Sequence, residues 1–279
     1  MILVIGATGN IGKELVPQLL GSGMPLRVFV RDPRKVAHLD PGVERLLGDL
    51  DRPETIDSAM KGMERVFLLT FDTKQDRNVI SSAKRAGVRH LVKLSTLEAS
   101  QAHLQVGRWH REREELIEAS GLEWTFLRPG MFMSNTIKWW AETVKKQAAV
   151  YFPGGKGRTA PVDPRDVARV AACALTGAGH SGKIYELTGQ ELLNIGEMAE
   201  IIGRVLGKRV KYVNVPLLAA KLQMRLSGMD AELVNALMEL AKELRSDRAA
   251  QLTSTVEQVT GKRARSFEAW CRENIWAFQ

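Results

Sequence analysis

The sequence has few cysteines and no long apolar run. Cys173 and Cys271 are its only cysteines, too few for a framework of disulfide bonds, so we expect reduced thiols and a cytoplasmic protein. No stretch approaches the roughly 20 apolar residues that a membrane-spanning helix needs. The first residues, Met1–Ile5, lack the basic segment that precedes the apolar part of a secretory signal. We therefore expect neither a membrane span nor secretion.

Acidic residues are fewer than basic ones. The chain has 40 Lys and Arg against 32 Asp and Glu, a net charge of +8, which raises nucleic acid as a partner. However, the basic residues form only short clusters along the whole chain, with no zinc-finger or RNP motif beside them. This pattern favours a solvated basic surface that partly serves the phosphates of an anionic cofactor. We expect no specific nucleic-acid partner.

Through about residue 135, short apolar strands alternate with amphipathic helices, which predicts βαβ units and a parallel sheet. The predicted strands are 2–5, 26–30, 43–47, 66–70, 90–95 and 123–127. The predicted class is α/β, a Rossmann-type doubly wound parallel sheet with a smaller, mostly helical C-terminal substrate lobe. Residues 1–135 would form the NAD(P)-binding domain, with 159–189 returning to it, and residues 136–158 and 190–279 would form the lobe. Beyond the sheet, two of the predicted helices are 137–150 and 195–206.

A glycine-rich turn follows the first predicted strand and opens the first helix. It consists of Gly6, Ala7, Thr8, Gly9, Asn10, Ile11 and Gly12. In such a turn the first glycine permits a tight bend, the second lets the backbone approach a pyrophosphate, and the third lets the helix pack on the strand. The N–H groups at the helix start then face the phosphates, and Thr8 and Asn10 can donate further hydrogen bonds. We predict a dinucleotide-binding loop.

The end of the second strand indicates which dinucleotide binds. An acidic residue there is typical of NAD(H), and an arginine is typical of NADP(H), which carries a ribose phosphate. Arg31 occupies the strand end, with Arg34 and Lys35 close behind, and a guanidinium suits a phosphate through paired hydrogen bonds. Asp32 is the complication, because it could bind a free ribose instead. The pattern favours NADP(H) over NAD(H), with Arg31 and Lys35 at the phosphate, although Arg31 as a merely solvated residue stays the alternative.

Several further segments accompany the glycine loop. They are Val30–Pro33, Gly48–Asp49, Ala86–His90, Leu94–Ser95, Ser120–Leu122, Thr125–Pro129 and Phe132–Asn135. Together they resemble the NmrA-like family of atypical short-chain dehydrogenases/reductases, which includes NAD(P)H:quinone oxidoreductases, a triphenylmethane dye reductase, relatives of isoflavone reductase and NADP-sensing regulators. The resemblance covers nearly the whole chain, more loosely after residue 190.

The resemblance implies where the cofactor lies. It places Asp49 and Leu50 beside the adenine, and Leu69 and Thr70 near the ribose of the nicotinamide half. It also places Ser95 near the nicotinamide. Asp49 and Leu50 follow the third predicted strand, and Leu69, Thr70 and Ser95 lie at the ends of the fourth and fifth, at the carboxyl edge where open α/β sheets bind ligands.

The helix after Ser95 lacks the Tyr-x-x-x-Lys pair of typical short-chain dehydrogenases, in which the tyrosine is the acid and the lysine lowers its pKa. It holds His110 and Glu114 instead, at i and i+4 on one helix face. Three interpretations stay open. His110 could be a proton donor or polar contact at the nicotinamide, the two residues could form a structural pair, or they could be two metal ligands. No third ligand is evident, so we expect no metal and take His110 as the candidate catalytic residue.

Loss of the tyrosine argues against ordinary alcohol dehydrogenation but permits hydride transfer to a good acceptor. We expect an NADP(H)-dependent oxidoreductase that reduces a quinone or a similar planar acceptor. The alternative is a redox sensor that binds NADP(H) and acts through a protein partner without turnover. The sequence leaves the oligomeric state open. An apolar segment past the sixth strand could line the acceptor site or belong to the core: Met131, Phe132, Met133, Trp139 and Trp140.

Overall fold

A seven-stranded sheet dominates the computed structural model, which describes all 279 residues. The strands of the molecule are β1 (Ile2–Ile5), β2 (Leu26–Val30), β3 (Glu44–Leu47), β4 (Arg65–Leu68), β5 (His90–Leu94), β6 (Glu123–Pro129), β7 (Ala149–Phe152), β8 (Arg158–Thr159), β9 (Lys183–Leu187), β10 (Leu193–Asn194) and β11 (Lys211–Asn214). The large sheet has the order β3-β2-β1-β4-β5-β6-β9, and its first six strands pair in parallel. The predicted doubly wound α/β sheet is confirmed.

Eleven α-helices surround or follow these strands. They are α1 (Gly12–Leu20), α2 (Pro53–Met60), α3 (Thr73–Ala86), α4 (Gln105–Glu118), α5 (Asn135–Gln147), α6 (Pro164–Thr176), α7 (Ile195–Leu206), α8 (Leu217–Leu226), α9 (Ala231–Arg245), α10 (Thr255–Thr260) and α11 (Phe267–Asn274). Short 3-10 helices cover Pro33–Val36, Leu97–Ser100 and Ile275–Phe278. None of the helices combines the length and the apolar composition that crossing a bilayer requires.

The strand order reverses at β1. From β1 the chain builds outward through β2 to β3, and it then returns to the other side of β1 with β4, β5 and β6. Ile2 accordingly has Leu26 as its neighbour on one side and Arg65 on the other. All four residues of β1 are buried, as expected for the centre of a sheet covered on both faces. Such a reversal opens a crevice at the carboxyl ends of β1 and β4, where ligands bind in open α/β sheets.

The chain forms two compact units. The first comprises Met1–Ser100, Arg108–Pro129 and Pro164–Glu186, and the second comprises Gln101–Gly107, Gly130–Asp163 and Leu187–Gln279. In the first unit, the strands bury an apolar cluster against α2 and α3 that includes Phe29, Ile56, Val79 and Phe126. The assignment of cofactor to the predicted domain and of acceptor to the predicted lobe stays a prediction.

The second unit contains two small sheets, and one of them replaces part of a predicted helix. β7 pairs with β11 in parallel, and β8 pairs with β10 antiparallel. The predicted helix over 137–150 is wrong at its end, since α5 stops at Gln147 and Ala148 takes a left-handed conformation (φ +48°). Val150 and Tyr151 then pair with residues of β11. β-branched and aromatic side chains suit such a pairing better than a helix end.

The core of the second unit lies around Trp140, which is fully buried together with Phe267 and Phe278. α7 packs against this core and has the bounds that its periodicity and its final Gly207 predict. Asn194 and Glu197 close its first turn by bonding each other's backbone N–H groups, which satisfies two donors that a helix start otherwise leaves free.

Candidate functional site

The glycine loop between β1 and α1 is closely packed. Gly6 has a φ of +89°, a left-handed conformation that favours glycine. A Cβ atom at Gly12 would lie 2.1 Å from the carbonyl oxygen of Gly6, and one at Gly6 would lie 3.0 Å from the Leu69 side chain. Glycine at both positions therefore lets α1 begin close against the end of β1. Of the polar side chains in the loop, Thr8 is exposed and Asn10 is half-buried.

The start of α1 keeps backbone donors available for a ligand. The N–H of Gly9 donates to the carbonyl oxygen of Gly6 at 3.0 Å and closes the turn. The N–H groups of Thr8, Ile11 and Gly12 have no acceptor within the chain. Ile11 is buried and precedes the helix without supplying a side-chain cap. Free N–H groups at the positive end of a helix favour an anion, so a phosphate fits this loop.

The end of β2 presents two free cations and one acid that is already bound. Arg31 and Lys35 are exposed and make no ion pair. The Asp32 carboxylate accepts hydrogen bonds from Nε and a terminal nitrogen of Arg34 at 2.9 and 3.0 Å, and from the Arg34 backbone N–H at 3.1 Å. These bonds hold the pKa of Asp32 below its usual value. The acid is thus engaged within the chain, whereas Arg31 and Lys35 can receive a phosphate.

Asp49 and Leu50 follow β3 in a turn that is held by local hydrogen bonds. The backbone N–H of Asp49 donates to Thr55 Oγ1 at 3.1 Å, and its carboxylate accepts the N–H of Asp51 at 3.0 Å. Leu50 is half-buried, and its carbonyl oxygen accepts from the Asn78 side chain at 2.9 Å. Both residues belong to the same compact unit as the glycine loop. Their place beside an adenine stays a prediction.

Leu69 and Thr70 follow β4 and have different surroundings. Leu69 is half-buried and contacts the glycine loop at Gly6. Thr70 is buried, and its hydroxyl donates to Asp76 while it accepts from the side chains of Lys93 and Arg113. The hydroxyl is therefore fully used inside the protein, and the backbone carbonyl oxygen of Thr70 also accepts from the Arg113 side chain.

Thr70, Asp76, Lys93 and Arg113 form a buried ion cluster, called the Lys93 cluster below. Lys93 Nζ lies 2.9 Å from one Asp76 carboxylate oxygen, and Arg113 Nε lies 2.6 Å from the other. Burial lowers the pKa of Lys93 to about 8, although Asp76 opposes the shift. The sequence pattern hardly reveals this cluster, because its members come from distant elements. Its one local signal is a lysine inside the apolar strand His90–Leu94.

Ser95 directly follows β5 at the carboxyl edge of the sheet. Its backbone N–H donates to the carbonyl oxygen of Leu127 at 2.7 Å, which fixes its position beside β6. Its side-chain oxygen is buried and has no hydrogen-bond partner. Buried hydroxyl groups are almost always hydrogen-bonded, so this atom suits a ligand's polar group. The residues present therefore fit the nicotinamide that the family resemblance implies here.

His110 on α4 has a second unpartnered atom, since its Nδ1 is buried without a hydrogen bond. Burial, together with the charges of Arg113 and Lys93, lowers the pKa of His110 to about 4. Glu114 does not bond it, because Arg128 holds the Glu114 carboxylate through two hydrogen bonds of 2.9 and 2.5 Å. The predicted pair of His110 and Glu114 is therefore wrong. The i and i+4 spacing places Glu114 near His110, but Arg128 of β6 binds the Glu114 carboxylate instead.

Two interpretations of His110 remain: a proton donor or polar contact at the nicotinamide, and a metal ligand. A histidine with this pKa is neutral at neutral pH, so it does not serve there as an imidazolium acid. It can still donate or accept one hydrogen bond as a neutral ring. The chain contains no group of three or more His, Cys, Asp or Glu side chains placed to hold a metal ion. A polar contact to a ligand is the interpretation that these observations support.

The apolar segment past β6 divides between core and surface. Met133 and Trp140 lie in the core of the second unit, so the pocket-lining interpretation is wrong for these two. Trp139 is 44% exposed, and Met131 and Phe132 are half-buried.

The chain is similar to known reductases over its whole length. A model of the NAD(P)H-binding family matches residues 6–178. An NAD(P)H azoreductase from Xenophilus azovorans is 37% identical over 100% of this chain and 99% of its own length. A (4-alkanoyl-5-oxo-2,5-dihydrofuran-3-yl)methyl phosphate reductase from Streptomyces griseus is 36% identical over 100% and 99% of the two chains. An NADPH-dependent quinone oxidoreductase from Escherichia coli, solved with NADPH, is 26% identical and superposes with a TM-score of 0.86 over 99% of both chains.

Proposed function

We propose that this chain, which belongs to the NAD(P)H-binding family and is an NAD(P)H-dependent oxidoreductase, transfers hydride from NADPH to a quinone or a similar planar acceptor. The reduced nicotinamide supplies the hydride when it is bound. The chain's own residues hold the cofactor and orient it. The free N–H groups of the glycine loop would hold the pyrophosphate, and Asp49 and Leu50 would flank the adenine.

Preference for NADPH rests on the end of β2. Arg31 and Lys35 are exposed and unpaired, while Asp32 is bound by Arg34. A ribose phosphate would therefore meet two free cations and an acid whose charge is already balanced. A free ribose would find no available carboxylate there. This arrangement favours NADPH over NADH.

The observation that carries the proposed acceptor is the composition of α4, the α-helix that follows Ser95 along the chain. Where typical short-chain dehydrogenases have an acidic tyrosine, this chain has a neutral His110 and an arginine-bound Glu114. Reduction of a simple ketone produces an alkoxide that needs a proton from such an acid. A quinone that accepts hydride becomes an anion stabilised by its aromatic ring, and this anion can take its proton from water. The site therefore suits an acceptor that needs no dedicated acid.

The named acceptors of the relatives share this chemistry. An azo compound, a quinone and an alkanoyl-substituted dihydrofuranone are all conjugated and electron-poor. Conjugation delocalises the negative charge that hydride transfer brings to the acceptor. We extend this acceptor class to the present chain, with Ser95 and His110 as the polar contacts that orient the nicotinamide.

Steady-state oxidation of NADPH tests the proposal. The assay compares benzoquinones, naphthoquinones and an azo dye with a simple ketone, each at matched concentration, and repeats the series with NADH. We expect turnover with the conjugated acceptors, none above background with the ketone, and a lower KM for NADPH than for NADH. Tight NADPH binding without oxidation by any acceptor would contradict the proposal and favour a binding role without turnover.

A further inference from the structure

The Lys93 cluster lies beside the proposed nicotinamide site without taking part in the proposed hydride transfer. Lys93 pairs with Leu68 of β4 and Phe126 of β6, so it stands in the middle of the sheet. Ser95 follows it by two residues and therefore extends toward the same face. Thr70 belongs both to the cluster and to the carboxyl edge of β4. Lys93, and with it the cluster, therefore lies two residues before Ser95 along the chain, on the side of Ser95 away from the carboxyl edge of the sheet.

The cluster carries a net positive charge in a buried place. Lys93 and Arg113 share the single carboxylate of Asp76, and two cations against one anion leave +1. The neighbouring Glu114 is paired with Arg128, and the partly exposed Arg111 that also contacts it is paired with Glu115 and Glu118. Lys93 and Asp76 are fully buried, so water screens their charges little. A positive potential therefore extends from the cluster toward its surroundings.

We propose that the Lys93 cluster makes the site select the reduced cofactor over the oxidised one. The nicotinamide ring of NADP⁺ carries a positive charge and that of NADPH carries none, while the rest of the two molecules is identical. Repulsion from the cluster raises the free energy of the NADP⁺ complex alone. NADP⁺ consequently dissociates readily after hydride transfer and inhibits weakly as a product. This inference rests on the proposed function, because it needs a nicotinamide at Ser95.

Replacing Lys93 with methionine removes the charge and keeps a side chain of similar length. The measurement is the ratio of the Kd for NADP⁺ to the Kd for NADPH, from calorimetric titrations at neutral pH. We expect the ratio to fall about tenfold in Lys93→Met, the order of effect of one unit charge about 12 Å away in an effective dielectric of about 20. The Kd for NADPH should change little. Lys84→Met, which removes an exposed and unpaired lysine of α3, should leave the ratio unchanged.

A pH series on the unaltered protein tests the same inference without a variant. As pH rises through about 8, Lys93 loses its proton and the cluster becomes neutral, so the ratio should fall between about pH 6.5 and 9.5. His110 stays neutral throughout this window, and arginines stay charged. The charged and titratable groups around the cluster are Asp76 of α3, His110, Arg113 and Glu114 of α4, and Arg128 of β6.

The outcomes separate this inference from the proposed function. If neither NADPH nor NADP⁺ binds, the proposed cofactor site itself fails. If both bind, but the ratio is flat with pH and Lys93→Met matches the unaltered protein within about twofold, the cluster does not select the reduced form. If Lys93→Met does not fold, the pH series alone decides, and a flat ratio overturns the inference.

Discussion

At Gly12, the hydrogen atom in place of a side chain determines how near α1 comes to β1. A Cβ atom there would overlap the carbonyl oxygen of Gly6. The overlap involves backbone on both sides, which cannot rotate away as a flexible side chain could. The missing side chain therefore acts by steric fit, and we expect it to serve the cofactor through the position of the helix start, while the Gly12 N–H is one of the free donors proposed for the pyrophosphate.

Replacing Gly12 with alanine should destabilise the protein by about 1–3 kcal/mol, because the added Cβ must push α1 away from the loop. The same displacement should weaken NADPH binding. Urea unfolding and calorimetric titration measure the two effects. Gly21→Ala is the control at the other end of α1, where a Cβ would lie 3.4 Å from the Gln18 carbonyl oxygen. Equal losses in both variants would contradict a special role for Gly12.

Replacing Arg31 with alanine should raise the Kd for NADPH by roughly 10- to 100-fold, since it removes charge-assisted hydrogen bonds to the ribose phosphate. NADH lacks that phosphate, so its Kd should change by less than about threefold. Arg77→Ala provides the control, because Arg77 is an exposed arginine of α3 in the same unit. Equal weakening for NADPH and NADH would remove Arg31 from the phosphate site.

Individual site residues could be predicted where their partners are close in sequence. The glycine loop is local, and its turn and free donors follow from seven consecutive residues, whereas its contact with Leu69 does not. The bond from Arg34 to Asp32 is also local, and only the choice between ribose and arginine had to come from the structure. The Lys93 cluster is different, because Asp76 and Arg113 lie 17 and 20 positions away along the chain. No local pattern brings those side chains together.

At the scale of elements, α4 is tied to β6 by one buried ion pair. Glu114 is fully buried, and Arg128 is nearly so. Both carboxylate oxygens of Glu114 accept from the Arg128 guanidinium, which gives the paired geometry that charged groups need in order to be buried. This pair fixes the helix that carries His110 relative to the strand that follows it.

Replacing Glu114 with alanine should lower the free energy of unfolding by about 3–5 kcal/mol, because it leaves the Arg128 charge buried without a partner. Chemical denaturation measures the loss. Glu115→Ala is the matched control one residue away. Glu115 is mostly exposed and pairs only with the partly exposed Arg111, so its removal should cost less than about 1 kcal/mol. Similar losses in the free energy of unfolding for the two variants would show that the buried pair of Glu114 and Arg128 stabilises the protein no more than an exposed ion pair does.

Helices and strands were predictable where a single pattern of apolar residues, that of a strand or that of a helix, continues over the whole element. Most strands of the large sheet are apolar runs bounded by glycines or polar turns, and α7 has both a cap and a terminal glycine. The boundary between α5 and β7 was not predictable in this way. Its apolar residues suit either element, and the choice depends on pairing with β11, some 60 residues later. The i and i+4 rule likewise did not predict that Arg128 binds Glu114, because Arg128 lies on another element, β6.

For the whole molecule, sequence and structure agree on class and family. The alternation of strands and helices predicts the doubly wound sheet. The segments around the glycine loop predict an NAD(P)H-binding reductase of the NmrA-like type, and the match to the NAD(P)H-binding family and the reductase relatives confirm this prediction. The sensor alternative gains no support from the named relatives, which are reductases. The acceptor itself depends on a few side chains and not on the fold.

Stability of the whole molecule should fall with acid partly through His110. Its pKa is about 4 in the folded state against a usual value of 6.5, so the unfolded chain binds a proton in this interval and the folded chain does not. The stabilisation is complete above about pH 6.5 and is lost as pH falls toward 4. Thermal unfolding across this range should show a shallower loss in His110→Asn than in the unaltered protein. Parallel curves would contradict the buried neutral histidine.

The net charge of +8 should assist capture of the anionic cofactor. Raising ionic strength from about 20 to about 300 mM shortens the screening length severalfold, so the Kd for NADPH should rise by about an order of magnitude. The KM for an uncharged quinone should stay nearly constant across the same series. A salt-independent Kd for NADPH would mean that the general basic surface contributes nothing to cofactor binding.

The bond between Asp32 and Arg34 also bears on how such a protein can be redesigned. In the proposed cofactor site, the chain already contains an acid at the strand end where NAD(H)-binding Rossmann domains hold the ribose, but the exposed Arg34 binds it. Substituting Arg34 alone would release that carboxylate without touching the core. A change of cofactor preference from NADPH to NADH therefore requires only that a carboxylate already present be freed. We expect directed evolution toward NADH to need few substitutions from this starting sequence.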